Sequence, residues 1–306
     1  MCGIIGIISY KQVADPIFDG LKRLEYRGYD SAGIATLAGG QLQRRRAEGK
    51  LDALAHELKA APLTGCVGIG HTRWATHGPA IEANAHPLRS EKVAVVHNGI
   101  IENYRDLKQH LMADGAEFTS DTDTEVIAHL FSQNLRAKDH LMAAAAATFA
   151  ALDGTYAVAL IVEGLENRMI IARNGSPLAV GYGSGEMFIG SDAFALAPFT
   201  NRIAYLDDGD WAVVSDTGAE IFAADGSGVT REQVVVDAAS AMVDKGNYRH
   251  FMSKEIHEQP EVLSRTFGQY ADPENRCVTL PENDIDLASI KRVILVACGT
   301  AYFAGL

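Results

Sequence analysis

Residues 1–10 read MCGIIGIISY, with a cysteine at position 2 standing directly before an apolar run. A chain end frays unless something ties it down, so a reactive side chain there is useful only if the run behind it is fixed. CGIIGIIS reads as a buried first strand, and two readings of Cys2 follow from that. In one it is a small residue packed in the strand, the ordinary fate of a free cysteine. In the other, removal of Met1 leaves Cys2 with a free α-amine. That amine titrates near ~7.7–8.0 and a thiol near ~8.5, so a proton passes between them at little cost around neutral pH. Nucleophile and base then belong to one residue. A retained Met1 turns the amine into an amide and removes the base.

Outward from this strand, VADPIFDGLKRLEYRG (13–28) has helical spacing, and GIATLAGGQLQRRRAEG (33–49) reads as a hairpin turning on Gly39-Gly40. LDALAHELKAA is helical. GCVGIGHTRWAT and KVAVVHNGII are strand-like, separated by a loop rich in Ala, Asn, His and Pro. DTEVIAHLFSQNL (123–135) is a helix whose leading hydroxyl and acidic residues predict an N-cap. An Ala-rich helix ends near Gly154, and short strands return up to about residue 224. Hairpins bracketing a helical middle predict an α+β fold of antiparallel sheets packed with helices, without internal repeats. The texture changes near residue 240, which divides a first domain, 1–240, from a segment 241–306. In the latter, DKGNYRHFMSKEIHEQPEVLSRTFGQY predicts a connector and a helix interrupted by Pro260. RVILVA (292–297) predicts a parallel strand opening a second, truncated α/β domain.

Composition limits the function classes. The chain has 306 residues, 47% of them hydrophobic and 22% charged, a globular balance. Its net charge of −12 argues against nucleic acid or an anionic membrane as partner. No apolar run reaches the length of a membrane span, and no basic segment precedes the apolar start as in a signal peptide. The four cysteines (Cys2, Cys66, Cys277, Cys298) are scattered, which predicts a reducing, cytoplasmic setting and no disulfide framework. A zinc site at His71, His77 and His86 is disfavoured because no carboxylate or cysteine completes it, and neither metal nor organic cofactor is expected.

Several short stretches carry polar residues where chemistry can use them. EYRGYDSAG (25–33) is either a helix end closed by Gly28 or a loop in which Arg27 orders the nucleophile's surroundings. HTRWATHG (71–78) places Arg73 and Trp74 at a strand end, where an arginine fork suits a carboxylate. HNGIIEN (97–103) offers Asn98-Gly99, a turn pair or, alternatively, an oxyanion hole made of a side-chain amide and a backbone N–H. In SDTDTE (120–125), Asp123 is free to meet an ammonium group beside any capping role. VACGTAYFAG (296–305) has the strand–loop–helix outline that suits phosphate.

Taken in order, Cys2-Gly-Ile, EYRGYDSAG, HTRWATHG, NAHP, HNGIIEN and SDTDTE resemble the class II glutamine amidotransferase domain of the N-terminal-nucleophile (Ntn) hydrolase group. EYRGYDSAG, KEIHEQP and CGTAY narrow the resemblance to the glutamine–fructose-6-phosphate aminotransferase family, across essentially the whole chain. The resemblance implies a four-layer αββα sandwich followed by the truncated start of a sugar isomerase domain. It implies Cys2 as nucleophile, Asn98 and Gly99 as oxyanion hole, and Arg73 and Asp123 as the clamp on the α-carboxylate and α-ammonium of glutamine. Trp74, Thr76, His77 and His86 match loops that close over glutamine, and Arg27 matches a support of the nucleophile loop. Cys298, Gly299 and Thr300 match a sugar-phosphate loop, in which this chain has Ala301 where the family often carries serine. The expected activity is glutamine hydrolysis, with ammonia passed to fructose 6-phosphate in a full-length homodimer. Other class II enzymes, such as amidophosphoribosyltransferase or glutamine-dependent asparagine synthetase, share Cys2 and the oxyanion pair but not EYRGYDSAG together with CGT. A non-catalytic module that keeps the fold is the rival from another class.

Overall fold

The computed structural model describes residues 2–138, 140–236, 251–272, 277–278, 289–297 and 299–306. The chain divides into two units, Met1–Asp244 and Lys245–Leu306. The first begins β1 (Gly3–Ile8), α1 (Ala14–Leu24), β2 (Ser31–Ala38), β3 (Gln41–Glu48), α2 (Leu51–Ala60), β4 (Val67–Arg73), β5 (Leu88–Ser90), β6 (Val93–Ile101). It continues through α3 (Tyr104–Ala113), α4 (Glu125–Ala137), α5 (Leu141–Ala150), β7 (Gly154–Val162), β8 (Met169–Asn174), β9 (Ala179–Tyr182), β10 (Met187–Gly190) and α6 (Ala193–Leu196). Five further strands close it: β11 (Arg202–Tyr205), β12 (Trp211–Ser215), β13 (Gly218–Phe222), β14 (Gly228–Val229) and β15 (Gln233–Val235).

These strands build two antiparallel sheets. One has the order β15-β11-β9-β10-β1-β4-β2-β3 and the other β14-β13-β12-β8-β7-β6-β5. The two-residue period of a strand decides what each face buries. In β1, Ile4 and Ile8 point into the space between the sheets, while Ile5 and Ile7 point outward against Ile17 and Leu21 of α1. In β6, Ala94 and Val96 face the opposite sheet, whereas Val93 and Val95 pack on Phe131 and the rest of the α3–α5 layer. Apolar residues on both faces of both sheets give helix, sheet, sheet, helix: the four-layer αββα sandwich. The β2–β3 hairpin turns on Gly39 and Gly40, both at positive φ (56° and 77°), as a two-residue turn requires.

Three local expectations are corrected. The leading residues of α4 do not cap it: Thr124 stands at the N-cap position without a side-chain cap bond, and its hydroxyl instead meets His97 Nδ1 at 2.8 Å. In the second unit, Pro260 does not interrupt the helix, which runs through it from Phe251 to Tyr270. A proline removes one N–H from the ladder, and the turns on either side carry the helix past that loss. Residues 292–297 form no strand, and Val293 and Val296 are 74% and 90% exposed. A parallel strand exists only as part of a ladder, and no described strand pairs with this run. The unit otherwise shows a two-stranded pair, Ala271–Asp272 with Cys277–Val278, and a helix Gly299–Gly305. No described helix is long and apolar enough to cross a membrane.

Candidate active site

The strand period that fills the core also assembles the site. Inward positions of β1 are even-numbered, which carries Cys2 to the inner edge of that face. Inward positions of β4 are odd (Val67, Ile69), which adds His71 and Arg73. Inward positions of β6 are even, which adds Asn98. Because β1 pairs with β4 in the register Gly3↔Thr72, these residues meet at one end of the sandwich.

Cys2 is half-buried. Its Sγ accepts from the Trp74 backbone N–H at 3.3 Å and approaches the Trp74 carbonyl at 3.5 Å. Burial raises the thiol pKa, and the Trp74 N–H and Arg73 act against that rise. Across the sheet interface, Asn98 Nδ2 donates to the Cys2 carbonyl at 3.0 Å. Gly99 follows at φ +127°, a backbone conformation that favours glycine, and a Cβ built there lies 1.9 Å from the Thr155 carbonyl oxygen. Cys2, Asn98, Gly99, Arg27, Trp74 and Thr76 line a cavity of about 380 Å³, within the range of small-molecule sites. A smaller recess of about 20 Å³ extends from Cys2 past Arg73 and His77 to Thr122, Asp123 and Thr124.

Arg73, at the end of β4, and Asp123, in the loop before α4, both border that recess. The Arg73 guanidinium donates to Pro79 O at 3.1 Å, to Gly78 O at 3.4 Å and to His77 O, which folds the 77–79 loop onto it. Asp123 is buried and accepts from the Ile101 N–H at 2.8 Å. Its loop is held by Glu125, whose fully buried carboxylate accepts five hydrogen bonds from the backbone and hydroxyls of Thr119 and Ser120. Desolvation works to raise the Glu125 pKa, but His129, Thr119 and Ser120 outweigh it and hold the value at about 2.

The EYRGYDSAG loop packs on the other side of the thiol. A Cβ at Gly28 lies 2.6 Å from the Arg73 carbonyl carbon, so only glycine lets the loop lie on that peptide. Asp30 accepts from the Ala75 N–H at 2.8 Å, and Tyr29 meets Trp74 edge to face with ring centroids 5.5 Å apart. Arg27 donates to the Tyr26 hydroxyl at 3.0 Å and pairs with Asp192, which also caps α6 through the Phe194 N–H.

Of the loop residues, Trp74 is 43% exposed at the cavity mouth. Thr76 is also exposed, and His77 is half-buried against Tyr104. His86 lies deeper, buried and packed against the His71 ring at a tilt of 38° and a centroid distance of 4.3 Å. Cys298 lies outside the described residues, and Gly299 and Thr300 open the helix of the second unit. Sequence reasoning passed over His71, Glu125 and Asp192. Strand parity from Val67 and Ile69 points to His71, whereas nothing local marks Asp192, which meets Arg27 from 165 residues away.

Comparison with known proteins agrees with this geometry. A family model described as a glutamine amidotransferase domain matches residues 71–198. The whole chain is 56% identical to a Mesorhizobium japonicum protein named glutamine–fructose-6-phosphate aminotransferase [isomerizing], and 54% to a Rhizobium meliloti protein of the same name. Each alignment covers 50% of the relative, so the chain spans about half the length of these curated relatives. Among solved structures, a glutamine phosphoribosylpyrophosphate amidotransferase from B. subtilis superposes with a TM-score of 0.63 at 27% identity, covering 72% of this chain and 48% of that one. The chain belongs to the class II glutamine amidotransferases. Within that class, its relatives at 51–56% identity over the full chain are the glutamine–fructose-6-phosphate aminotransferases.

The buried imidazoles set an acid limit. Burial depresses His71 to about 3, against the Asn98 and His97 oxygens, which favour its protonated form, and it lowers His86 and His97 as well. An unfolded histidine takes its proton near ~6.5, so between ~6.5 and 3 the unfolded chain binds protons that the native state does not. Stability therefore falls as pH drops through that window. The Glu125 contribution is present above ~4.3 and is lost as pH falls toward 2. Thermal melts from pH 8 to pH 4 should show a plateau above ~7 and a decline beginning below ~6.5; a flat profile down to pH 5 contradicts this assignment.

Proposed function

We propose that the first unit hydrolyses the side-chain amide of free glutamine, with Cys2 as nucleophile. The observation that carries this reading is the Asn98 Nδ2 donor bonded 3.0 Å from the Cys2 carbonyl, at the mouth of the cavity that the thiol lines. An amide nitrogen carries two hydrogens. One is spent on Cys2 O, and the second is available to an oxygen bound beside Sγ. With Met1 removed, the Cys2 α-amine takes the thiol proton and Sγ attacks the amide carbon. The C=O electrons move onto oxygen, where Asn98 and Gly99 stabilise the charge. The ammonium proton passes to the amide nitrogen as the C–N bond breaks, releasing ammonia and leaving a γ-glutamyl thioester. Water, deprotonated by the same amine, then cleaves the thioester to glutamate and thiol.

Arg73 and Asp123 read the α-carboxylate and α-ammonium from opposite sides of the recess, so the substrate is an amino acid and not a peptide-embedded glutamine. Arg73 keeps spare donors for a carboxylate, because its three carbonyl contacts use only Nη1 and Nη2 out of five N–H groups. The relatives' name further supports delivery of the ammonia to fructose 6-phosphate in a longer protein; glucosamine 6-phosphate as product, a homodimer and a reducing cytoplasm are part of the proposal that rests on the sequence alone. Gly299 and Thr300, with Cys298, are the expected start of that sugar-phosphate site.

Intact mass and a glutamine-analogue label test the core of the reading. Loss of Met1 and one label per chain at Cys2 are expected, with glutamate released from glutamine but no glucosamine 6-phosphate made by this 306-residue chain. A chain that retains Met1 and still hydrolyses glutamine sinks the α-amine mechanism. Asn98→Ala should lower kcat by about 10²–10³-fold, the usual loss of one oxyanion donor, and a near-wild-type rate removes Asn98 from that role. Arg73→Ala should raise the KM for glutamine; an unchanged KM refutes the clamp.

A further inference from the structure

His71 is fully buried beside the nucleophile, and the steps above give it no part. Its Nε2 lies 3.0 Å from the His97 carbonyl oxygen and 3.1 Å from Asn98 Oδ1. Both neighbours only accept, so Nε2 must carry the hydrogen. Its Nδ1 then presents a bare lone pair, buried and without a hydrogen-bond partner. An orphaned buried polar atom costs on the order of 1–3 kcal/mol. A leucine here avoids that cost, so the imidazole has to return something through Nε2.

We propose that His71 is a positioning residue that fixes, and polarises, the Asn98 amide as an oxyanion donor. The constraint runs in one direction. The His97 carbonyl belongs to the β6 backbone and cannot turn, so it selects the Nε2–H tautomer of His71. That N–H then accepts only one orientation of the Asn98 amide, with Oδ1 toward His71 and Nδ2 toward Cys2. The flipped amide sets Nδ2 against an N–H and Oδ1 against the Cys2 carbonyl, which replaces two hydrogen bonds with two repulsions. A donor on Oδ1 also draws electron density from the amide nitrogen, so the Nδ2 hydrogens become stronger donors. The His86 ring packs against the His71 ring at a tilt of 38°, which limits how far the imidazole can turn.

This inference rests on Asn98 as oxyanion donor, and a double-mutant cycle separates the two. His71→Leu should lower kcat for glutamine about 10-fold or more while KM stays within about twofold, the signature of a contact made only in the transition state. In an Asn98→Ala background the same change should have no further effect on kcat. His71→Gln, whose amide nitrogen reaches the Nε2 position, should recover most of the rate. A melting transition for each variant reports that it is folded. Should His71→Leu lack one, His71→Asn, whose amide reaches only the Nδ1 position, takes its place with the same expectations. Equal losses in both backgrounds, an unchanged kcat in a folded variant, or no rescue by glutamine overturns the positioning role. A wild-type kcat for Asn98→Ala alone overturns the oxyanion reading, and the His71 proposal falls with it.

Discussion

The Asn98 amide is the joint on which the site depends. It donates across the gap between the two sheets to Cys2 O and accepts from His71 on the strand beside β1. A sandwich held by apolar contact alone tolerates small sliding of one sheet over the other, because the hydrophobic effect has no direction. A pair of hydrogen bonds at one end supplies direction. It sets the separation of β1 and β6 where Cys2 sits, and the ~10 Å of apolar core behind it supplies the stiffness.

Polarity is therefore graded along the sandwich. Val67 and Ile69 of β4 and Ala94 and Val96 of β6 fill the interface with hydrocarbon, and at the end of the same strands the inner face changes to His71, Arg73 and Asn98. Burying such groups is tolerated because nearly every one is tied to backbone. Arg73 holds the carbonyls of its own loop, Glu125 holds the amides before α4, and Asp123 holds the end of β6. Arg73 and Asp123 each present a functional group to the recess and fix the chain that walls it, while Glu125 only holds its loop. Loss of one of them disturbs position and chemistry together, which is why the expected effects separate best in kcat against KM.

Much of this was legible in the sequence for a physical reason. The strands of the first unit are runs of Ile, Val and Ala with glycines at turns, and a two-residue period is a local property. β1, the β2–β3 hairpin and α4 stand where their residues predict them. The recess was legible as motifs at strand ends, but their partners were not. Asp192 reaches Arg27 through a tertiary contact that no spacing encodes, and Glu125 stands at a helix start where an acidic residue ordinarily means nothing more than a favourable dipole. RVILVA misled because its composition records a buried ladder position, while a ladder is a property of several strands at once.

The place of β1 in its sheet carries a consequence for the order of events. It precedes both of its sheet neighbours in the chain, yet it is a central strand: they are β4, ending at Arg73, and β10, ending at Gly190. The β4 ladder can close once residue 73 is made, but the β10 ladder waits for residue 190, and such long-range pairing is slow to form. Until the second ladder closes, Cys2 precedes a strand that lacks part of its sheet. Afterwards it is the edge of a packed interface. On the proposed mechanism, the fold thus separates in time two states of Cys2: an accessible one for trimming, and an enclosed one for chemistry.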